Sequence, residues 1–320
     1  MLSGVRMTAS ETGHVTIEAT DLESYVCMSR PATVSEPGTA IIPARKLAGL
    51  LSSLRGQVKV ETTDAVATIR CGRGRYTLPV YGEDYPDAQP FTGGASVYAD
   101  ILREAVAAVS SCCCAPNSGR AILEGVHVRI ADGQLTATAT DGRRLARWTT
   151  AAVGGQQFEA VIPGSMLPLL PKGGAYLIGI NAGAVHMHSI EETISCRMVE
   201  GQYPNIDQVI PAEFAHDVTV DAPPAIDAVR RVSQLHDSKD DASVSLSVVG
   251  GEMRIECAGS VESVDCVGGD CTMQFNPSYI VDALRMVGAR ARMQIVDSGP
   301  VLITGAEERA MAVVMQMRKG

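Results

Sequence analysis

The sequence contains no run that approaches the roughly 18 uninterrupted apolar residues of a membrane helix. Its opening stretch, MLSGVRMTASETGH, also lacks the basic region followed by an apolar segment that marks an export signal. Hydrophobic residues make up 46% and charged residues 20% of the 320 residues, as in soluble globular proteins. We therefore expect a cytoplasmic protein that has no membrane partner.

An excess of basic residues is missing as well. The chain has 27 Lys and Arg residues against 36 Asp and Glu residues, a formal net charge of −9. This balance argues against a protein whose whole surface coats nucleic acid. A local basic face stays open, because the distribution of charge matters more than its sum.

Metal-site spacings are absent, although the chain has nine cysteines. Their spacings match neither a zinc ribbon nor a zinc finger. Cys112–Cys114 crowd three side chains at one predicted helix end, and Cys266 and Cys271 have no second pair. In a reducing compartment such cysteines are usually buried thiols. We expect no metal and no cofactor.

Motifs for catalysis are also lacking. His186 and His188 would face one side of a strand and could bind a metal, but no third ligand is suggested by spacing. We therefore favour a solvated strand face. GRGR at 72–75 lacks the Gly-Lys-Ser/Thr ending of a phosphate loop and fits the start of a twisted strand. With no nucleophile and base in view, we expect no enzyme.

One pattern occurs three times. A turn glycine followed by an alternating strand begins at Gly13, Gly133 and Gly251, so the offsets are 120 (133 − 13) and 118 (251 − 133). IIPARKLAGLL, VIPGSMLPLL and QFNPSYIVDAL repeat on the same scale, each with a proline near the start of a short helix. GEDYP at 82–86 and GQYP at 201–204 close the first two copies. The chain therefore reads as three tandem repeats of about 105 to 120 residues.

The order of elements in a repeat predicts an α+β fold in which helices cover one side of antiparallel sheets. Opening helices are expected from Ile101 and from Pro224, and a further helix should begin at the N-cap Asn276 and stop at Gly288. We predict three domains at 1–93, 94–214 and 215–320.

The first copy lacks the opening helix. This helix begins 32 residues (133 − 101) and 27 residues (251 − 224) before the turn glycine in the other copies, whereas only 12 residues precede Gly13. We therefore expect that a helix and a leading strand, about 20 residues or more, are missing from this chain.

The stretch TATDGRRLARW, residues 138–148, combines three arginines with the only tryptophan. Asp-Gly after an alternating strand is a strong hairpin signal, so we interpret Asp141 and Gly142 as a turn and not as a catalytic site. The arginines Arg143, Arg144 and Arg147 are interpreted as a rim that faces a protein partner more than DNA.

Four segments, TATDGRRLARW, GQYPNIDQVIP, FNPSYIVDAL and MAVVMQMRKG, resemble in order and spacing the signature segments of the bacterial DNA polymerase III beta subunit, the sliding clamp. The resemblance extends over nearly the whole chain. It implies three repeats of the DNA-clamp fold and two chains that close head to tail into a ring around duplex DNA. The implied partners are double-stranded DNA bound without sequence specificity, a second copy of the chain, and the replicative polymerase, clamp loader and repair proteins through short peptides.

The resemblance also implies a residue set for each role. A peptide pocket between the second and third domains would use Leu123, Thr140, Gly142, Arg143, Arg144, Leu145, Pro204, Val209, Pro300, Val313, Val314, Met315, Met317 and Arg318. Contacts to DNA phosphates would come from Arg45, Lys46, Arg120, Arg230, Arg231 and Arg285. Head-to-tail closure would use Leu50, Leu54, Tyr76, Leu78, Gln234 and Leu235.

Some residues depart from the family pattern. Arg143 stands where histidine is common, Gln208 where a basic residue is frequent, and Gln316 replaces a proline before Met317. We expect the peptide-binding mode to survive while the preference for particular peptides shifts. Gln234 stands where an aliphatic residue is favoured, which would weaken ring closure. The alternative is therefore a clamp-like protein that binds the same peptides as a competitor or scaffold without encircling DNA.

Overall fold

A computed structural model describes residues 3–82, 84–87, 91–152, 156–234 and 243–317. The chain divides into two compact units. The first contains Met1–Val97, Ser165–Leu170 and Gly174–Met198, and the second contains Tyr98–Gly164, Pro171–Gly173 and Val199–Gly320. Across the described ranges, no helix is both long and apolar enough to cross a membrane.

Most of the described chain forms β-strands. They are β1 (Gly4–Ala9), β2 (His14–Thr20), β3 (Ser24–Pro31), β4 (Gly38–Pro43), β5 (Val58–Thr62), β6 (Val66–Cys71), β7 (Gly74–Pro79), β8 (Ala95–Tyr98), β9 (Val126–Ala131), β10 (Gln134–Thr140), β11 (Arg144–Ala151), β12 (Phe158–Ile162), β13 (Ala175–Asn181), β14 (Ala184–His188), β15 (Glu192–Arg197), β16 (His216–Asp221), β17 (Val244–Val249), β18 (Glu252–Cys257), β19 (Ser260–Gly268), β20 (Cys271–Phe275), β21 (Arg290–Ile295), β22 (Pro300–Thr304) and β23 (Ala310–Met315).

Helices connect these strands. The α-helices are α1 (Ala44–Ser53), α2 (Ala99–Val109), α3 (Ala222–Ser233) and α4 (Pro277–Val287). Short 3-10 helices lie at Ser110–Cys112, Ala121–Leu123, Gly164–Leu169 and Ile206–Val209.

The first unit contains an eight-stranded sheet in the order β4-β1-β2-β3-β15-β14-β13-β8 and a three-stranded sheet in the order β5-β6-β7. Helix α1 packs over a small core of buried apolar side chains. These are Ala40, Ile42, Leu47, Ala67 and Ile69.

The second unit contains a twelve-stranded sheet in the order β12-β9-β10-β11-β23-β22-β21-β16-β19-β18-β17-β20. Helix α2 contacts β10 and β11, α4 contacts β23, and α3 contacts α4. The largest core cluster lies under α3 and α4 and includes the fully buried Phe275 and Leu246. Helices on one side of antiparallel strands confirm the predicted α+β class.

The three predicted repeats occur in the strand order. The turn glycines Gly13, Gly133 and Gly251 precede β2, β10 and β18 with φ angles of 75°, 74° and 88°, values that favour glycine. The compact units do not follow the repeats, because β13, β14 and β15 of the second copy share a sheet with β3 of the first. The domain limits at 93/94 and 214/215 stay a prediction.

The helix predictions have different outcomes. Helix α4 is as predicted, since the Asn276 side chain accepts a hydrogen bond from the Ser278 N–H and the chain leaves the helix at Gly288 with φ 93°. The second-copy equivalent is instead a 3-10 helix that contains Pro168, which cannot donate a helical hydrogen bond. Helices α2 and α3 begin two residues earlier than predicted, at Ala99 and Ala222.

Two strand pairings join successive repeats. We call the pairing of β3 with β15 the first junction and the pairing of β11 with β23 the second junction. Each lies within one compact unit. Four consecutive strands pair with one another in each of the first two repeats, β1–β4 in the first and β9–β12 in the second. Both junctions connect the third of these strands with the last strand of the next repeat.

Candidate functional site

The turn between β10 and β11 forms one edge of the second junction. The Asp141 carboxylate accepts hydrogen bonds from the backbone N–H groups of Arg143 (2.8 Å) and Arg144 (3.0 Å). The Thr140 hydroxyl donates to the Arg144 carbonyl at 2.7 Å, and Gly142 has φ 86°. The predicted hairpin turn is confirmed, and the carboxylate holds the turn together.

An apolar floor lies beside this turn. We define it as Leu145, Leu302 and Val313, which are 3%, 8% and 4% exposed. Val313 is the direct partner of Leu145 across β11 and β23, and of Leu302 across β22 and β23. Partly buried apolar side chains pack around it: Ile206, Ile210, Phe214 and Met311. Such a surface can hold an apolar anchor side chain, at about 1.5 to 3 kcal/mol for each fully buried anchor.

Exposed apolar side chains flank the floor in sequence. Val209 is 54% exposed and follows Ile206 in the same 3-10 helix. Met315 and Met317 are 47% and 37% exposed and come two and four residues after Val313. Methionine is flexible and polarizable, so these side chains suit a surface that accepts different ligands.

The other predicted pocket residues have different environments. Pro204 is exposed, Pro300 is half-buried opposite Met315, and Leu123 is buried in a 3-10 helix. Arg318 lies outside the described residues.

Val314, another predicted pocket residue, lies on the opposite face of β23 from the floor. It is 1% exposed and packs in the large core cluster under α4. Successive side chains of a strand point to opposite faces, so Val314 faces away from the floor residue Val313. A role of Val314 in peptide binding stays a prediction, because sequence adjacency did not reveal which face of β23 is covered.

Arg144 was also predicted as a pocket wall, but its side chain is directed inward. The guanidinium pairs with Asp282 at 2.9 Å and with Asp141 at 3.1 Å, and it donates to the Ser111 carbonyl. It also lies 4.2 Å above the ring centroid of Tyr279. Arg144 therefore ties the turn to α4, and its role in a pocket wall or rim stays a prediction.

The other two arginines of this stretch, Arg143 and Arg147, differ in whether the side chain is exposed. Arg147 pairs with Asp207 at 2.5 Å, which connects β11 to the 3-10 helix beside the floor. Arg143 is exposed. Of the three predicted rim arginines, only Arg143 therefore has an exposed side chain.

Two further residues lie at this site, one predicted for another role and one not predicted. Arg120, a predicted DNA contact, is exposed, and its Nη1 atom lies 2.9 Å from the position a Cβ would take at Gly142. Leu302 was not predicted, although it lies two residues after the predicted Pro300. The period-two rule for strands could have identified it.

The other predicted DNA contacts lie on helix surfaces. Arg45 and Lys46 are exposed on α1, and Arg230 is exposed on α3. Arg231 makes a two-point ion pair with Glu262 at 2.7 and 2.6 Å, and Arg285 lies 3.4 Å from Asp282. The last two cations are therefore less available to phosphates than predicted.

The predicted closure residues belong to both units. In the first unit, Leu50, Leu54 and Leu78 are half-buried against the α1 core, and Tyr76 is 38% exposed on β7. In the second, Gln234 is exposed directly after α3. Leu235 lies outside the described residues.

The cysteines and the paired histidines show no built metal site. No group of three or more possible ligands for a metal ion occurs among the residues that the structure describes. All nine cysteines are free, and burial raises the pKa of Cys112 to about 11 and that of Cys113 to about 12. His186 is fully buried, so the predicted solvated face was wrong for this residue, and the ring of Phe91 lies 6.3 Å from it.

Comparison with known proteins agrees with this architecture. Models of the N-terminal, central and C-terminal domains of the DNA polymerase III beta subunit match residues 1–89, 96–205 and 207–318. The Beta sliding clamp of Streptomyces coelicolor is 26% identical over 360 residues, which covers 99% of this chain and 92% of that protein. The Beta sliding clamp of Synechococcus elongatus is 26% identical over 302 residues, which covers 86% of this chain and 79% of that protein.

A solved structure supports the fold. The crystal structure of the DNA polymerase III subunit beta from Pseudomonas aeruginosa matches with a TM-score of 0.90 at 24% identity, over 99% of this chain and 92% of that one. Together, the three domain models cover nearly the whole chain. The chain therefore belongs to the DNA polymerase III beta subunit family.

Proposed function

We propose that this chain is a DNA sliding clamp that confers processivity on the replicative DNA polymerase. Two copies would close around duplex DNA, and partner peptides would dock on the apolar floor of the second junction. The observation that carries the proposal is the strand pairing shared by the two junctions. Family membership supports the same function, and sliding-clamp relatives are processivity factors.

The two junctions have the same register. Ser24 is opposite Cys196 in the first, and Arg144 is opposite Val314 in the second, at offsets of 120 (144 − 24) and 118 (314 − 196). The equivalent third strand of the third copy is β19, and the equivalent last strand of the first copy is β7. Within the described ranges, β7 pairs with β6 alone, and Ser260–Asp265 pair with β18 alone. Pairing of β7 with β19 of a second copy would repeat the junction and close a head-to-tail ring.

Charges at these two edges support the pairing. Arg73 and Arg75 are exposed at the β6–β7 hairpin, whereas Glu252 and Asp265 are exposed cross-strand neighbours on β18 and β19. Opposite charges on the two edges favour the heterologous contact over contact between like edges. Closure should therefore weaken as ionic strength rises.

Contacts to DNA would be few and would go to phosphates, because a tether that slides cannot read bases. The exposed cations Arg45, Lys46 and Arg230 are the best candidates, whereas Arg231 and Arg285 lie beside the carboxylates of Glu262 and Asp282. Each phosphate contact would add about 0.9 to the slope of log affinity against log salt.

The ring is tested by native mass measurement of the full chain and by retention on nicked circular and linear DNA after loading by the cognate clamp loader. We expect a homodimer that is retained on circular DNA and slides off linear DNA. A monomer that is never retained would overturn the ring and favour the competitor or scaffold alternative.

Peptide docking is tested by fluorescence titration of a short peptide with a glutamine and two apolar anchors. We expect binding in the micromolar range that Met317→Ala weakens about tenfold, because one apolar contact is lost. Met28→Ala is the matched control, since Met28 is 36% exposed in the first unit. Equal affinity of wild type and Met317→Ala would refute the site assignment.

A further inference from the structure

Residues 315–317 at the end of β23 are held by three different parts of the second unit. The Met315 N–H donates to the Arg143 carbonyl at 3.0 Å, and the Met317 N–H donates to the Gln274 carbonyl at 2.8 Å. Between them, the Gln316 side-chain amide donates to the carbonyls of Val296 and Gly299 at 3.0 and 2.9 Å.

The carbonyls that Gln316 binds belong to the turn between β21 and β22. This turn is closed by the Gly299 N–H, which donates to the Val296 carbonyl at 3.0 Å, and Ser298 has φ 54°. The Gln316 amide nitrogen has two hydrogens, so one amide group satisfies both carbonyls.

Exposure differs between Gln316 and its two neighbours. Gln316 is half-buried, whereas Met315 and Met317 are 47% and 37% exposed. In an extended segment, alternate side chains point to opposite sides. Gln316 therefore holds the segment from behind while the two methionines face outward.

We propose that Gln316 is a positioning residue that sets the peptide specificity of the second junction by fixing where Met315 and Met317 stand. The inference rests on the proposed docking of peptides at the apolar floor. Methionine side chains adapt to many shapes when their backbone moves. A backbone bonded to three elements limits this adaptation, so the site should distinguish a full-length aliphatic anchor from a shortened one.

The test uses the full chain with two substitutions of similar length. Gln316→Met removes both donors, and Gln316→Glu places a carboxylate against two carbonyls. Gln57→Glu, at an exposed position in the first unit, is the matched control. Two fluorescent peptides are titrated, one with a glutamine and two leucine anchors and one with the second leucine replaced by alanine.

We expect wild type and Gln57→Glu to prefer the two-leucine peptide about tenfold, and both Gln316 variants to reduce this ratio to about twofold. The methyl resonances of Met315 and Met317, assigned with Met→Leu variants, should shift in the Gln316 variants without peptide. Thermal midpoints verify that each variant is folded.

Several outcomes are decisive. If wild type binds neither peptide, the proposed docking function fails and the inference fails with it. If wild type discriminates and the Gln316 variants keep the same ratio, or lose both peptides equally, the positioning role alone is overturned. Unchanged methionine methyl resonances in folded variants would overturn it independently of any peptide.

Discussion

The two junctions share one pattern of strand pairing, but the side chains at equivalent positions are apolar in one and polar in the other. At the second junction the three central positions on neighbouring strands are the apolar floor. At the first junction the register-equivalent positions are Tyr25, Ser195 and His186, which are 8%, 7% and 0% exposed. Strand pairing uses backbone groups, so it tolerates either set of side chains, whereas binding of an apolar anchor requires the second set.

A largely buried charged network ends at Tyr25 of the first junction. The Arg6 guanidinium donates to the Glu18 carboxylate at 2.6 and 2.9 Å, and the Tyr25 hydroxyl donates to the same carboxylate. Burial raises the pKa of Glu18, but the hydrogen bonds from Arg6 and Tyr25 outweigh it and lower this pKa below its ordinary value. The first junction thus carries buried polar side chains beside a charged network and offers no apolar floor.

The segment that follows each of the first two repeats adds a further difference in side chains between the two junctions. Phe91 stacks on His188 with 5.1 Å between ring centroids, so the first junction carries an aromatic side chain of its own chain. Its equivalent at an offset of 118 (209 − 91) is Val209, which is 54% exposed. At this position, therefore, the second junction has an exposed apolar side chain where the first has a stacked aromatic ring.

The largest effect should come from breaking the charged network. Arg6→Met leaves the buried Glu18 carboxylate without its cation, which should destabilise the first unit by about 3 kcal/mol. Urea unfolding followed by far-ultraviolet circular dichroism measures this loss, while fluorescence of Trp148 reports the second unit. Arg30→Met is the control, because the exposed Arg30–Glu191 pair should contribute less than about 1 kcal/mol. Equal losses for the two variants would contradict a special role of the network.

Val313→Ser gives the second junction the residue of the first. Loss of apolar volume together with a hydroxyl in an apolar cluster should cost about 2 kcal/mol and abolish peptide binding. Unfolding followed by Trp148 fluorescence and peptide titration provide the two measurements. Val249→Ser makes the same chemical change at a side chain that is 66% exposed and should stay within about 0.5 kcal/mol of wild type. A variant that still binds peptide would show that the floor is not the docking surface.

His186→Leu gives the first junction the residue of the second, and its effect should depend on pH. Burial lowers the pKa of His186, and its Nδ1 atom has no hydrogen-bond partner among the described residues, while Nε2–H donates to the Asn181 carbonyl at 3.2 Å. The unfolded state therefore takes up a proton first as pH falls below about 6.5, and wild-type stability declines through the folded-state pKa.

The leucine variant lacks this linkage. Relative to wild type, its free energy of unfolding should rise by about 1 kcal/mol for each pH unit below 6.5 until the folded-state pKa is reached. Urea unfolding at several pH values measures the slope, with the exposed His14→Leu as control. A pH-independent difference between His186→Leu and wild type would contradict a buried neutral imidazole.

Turns and helix caps were predictable from the sequence, whereas the direction in which a side chain points was not. The turn glycines and the Asn276 and Gly288 caps depend on neighbouring residues, and the structure confirms them. The inward direction of Arg144 depends on Asp282, which is 138 residues away in the chain. Alternation places Val313 and Val314 on opposite faces of β23, but which face is covered depends on α4, which is not adjacent to β23 in the chain.

The smallest effect is expected from substitutions in two equivalent turns, the one between β2 and β3 and the one between β10 and β11. In the first, the Asp21 carboxylate accepts from the Glu23 and Ser24 N–H groups, as Asp141 does in the second. Leu22 has φ 76° and is 65% exposed, while its equivalent Gly142 has φ 86°. A leucine pays a steric cost in this region that glycine avoids, so Leu22→Gly should stabilise the first unit by about 1 kcal/mol.

Gly142→Ala should lose a comparable amount in the second unit, and thermal unfolding of both variants measures the pair. A destabilised Leu22→Gly would mean that the exposed leucine makes contacts worth more than its backbone strain. The same hydrogen bonds of a threonine and an aspartate hold both turns. The sign of each change in stability therefore reports the effect of a side chain at positive φ.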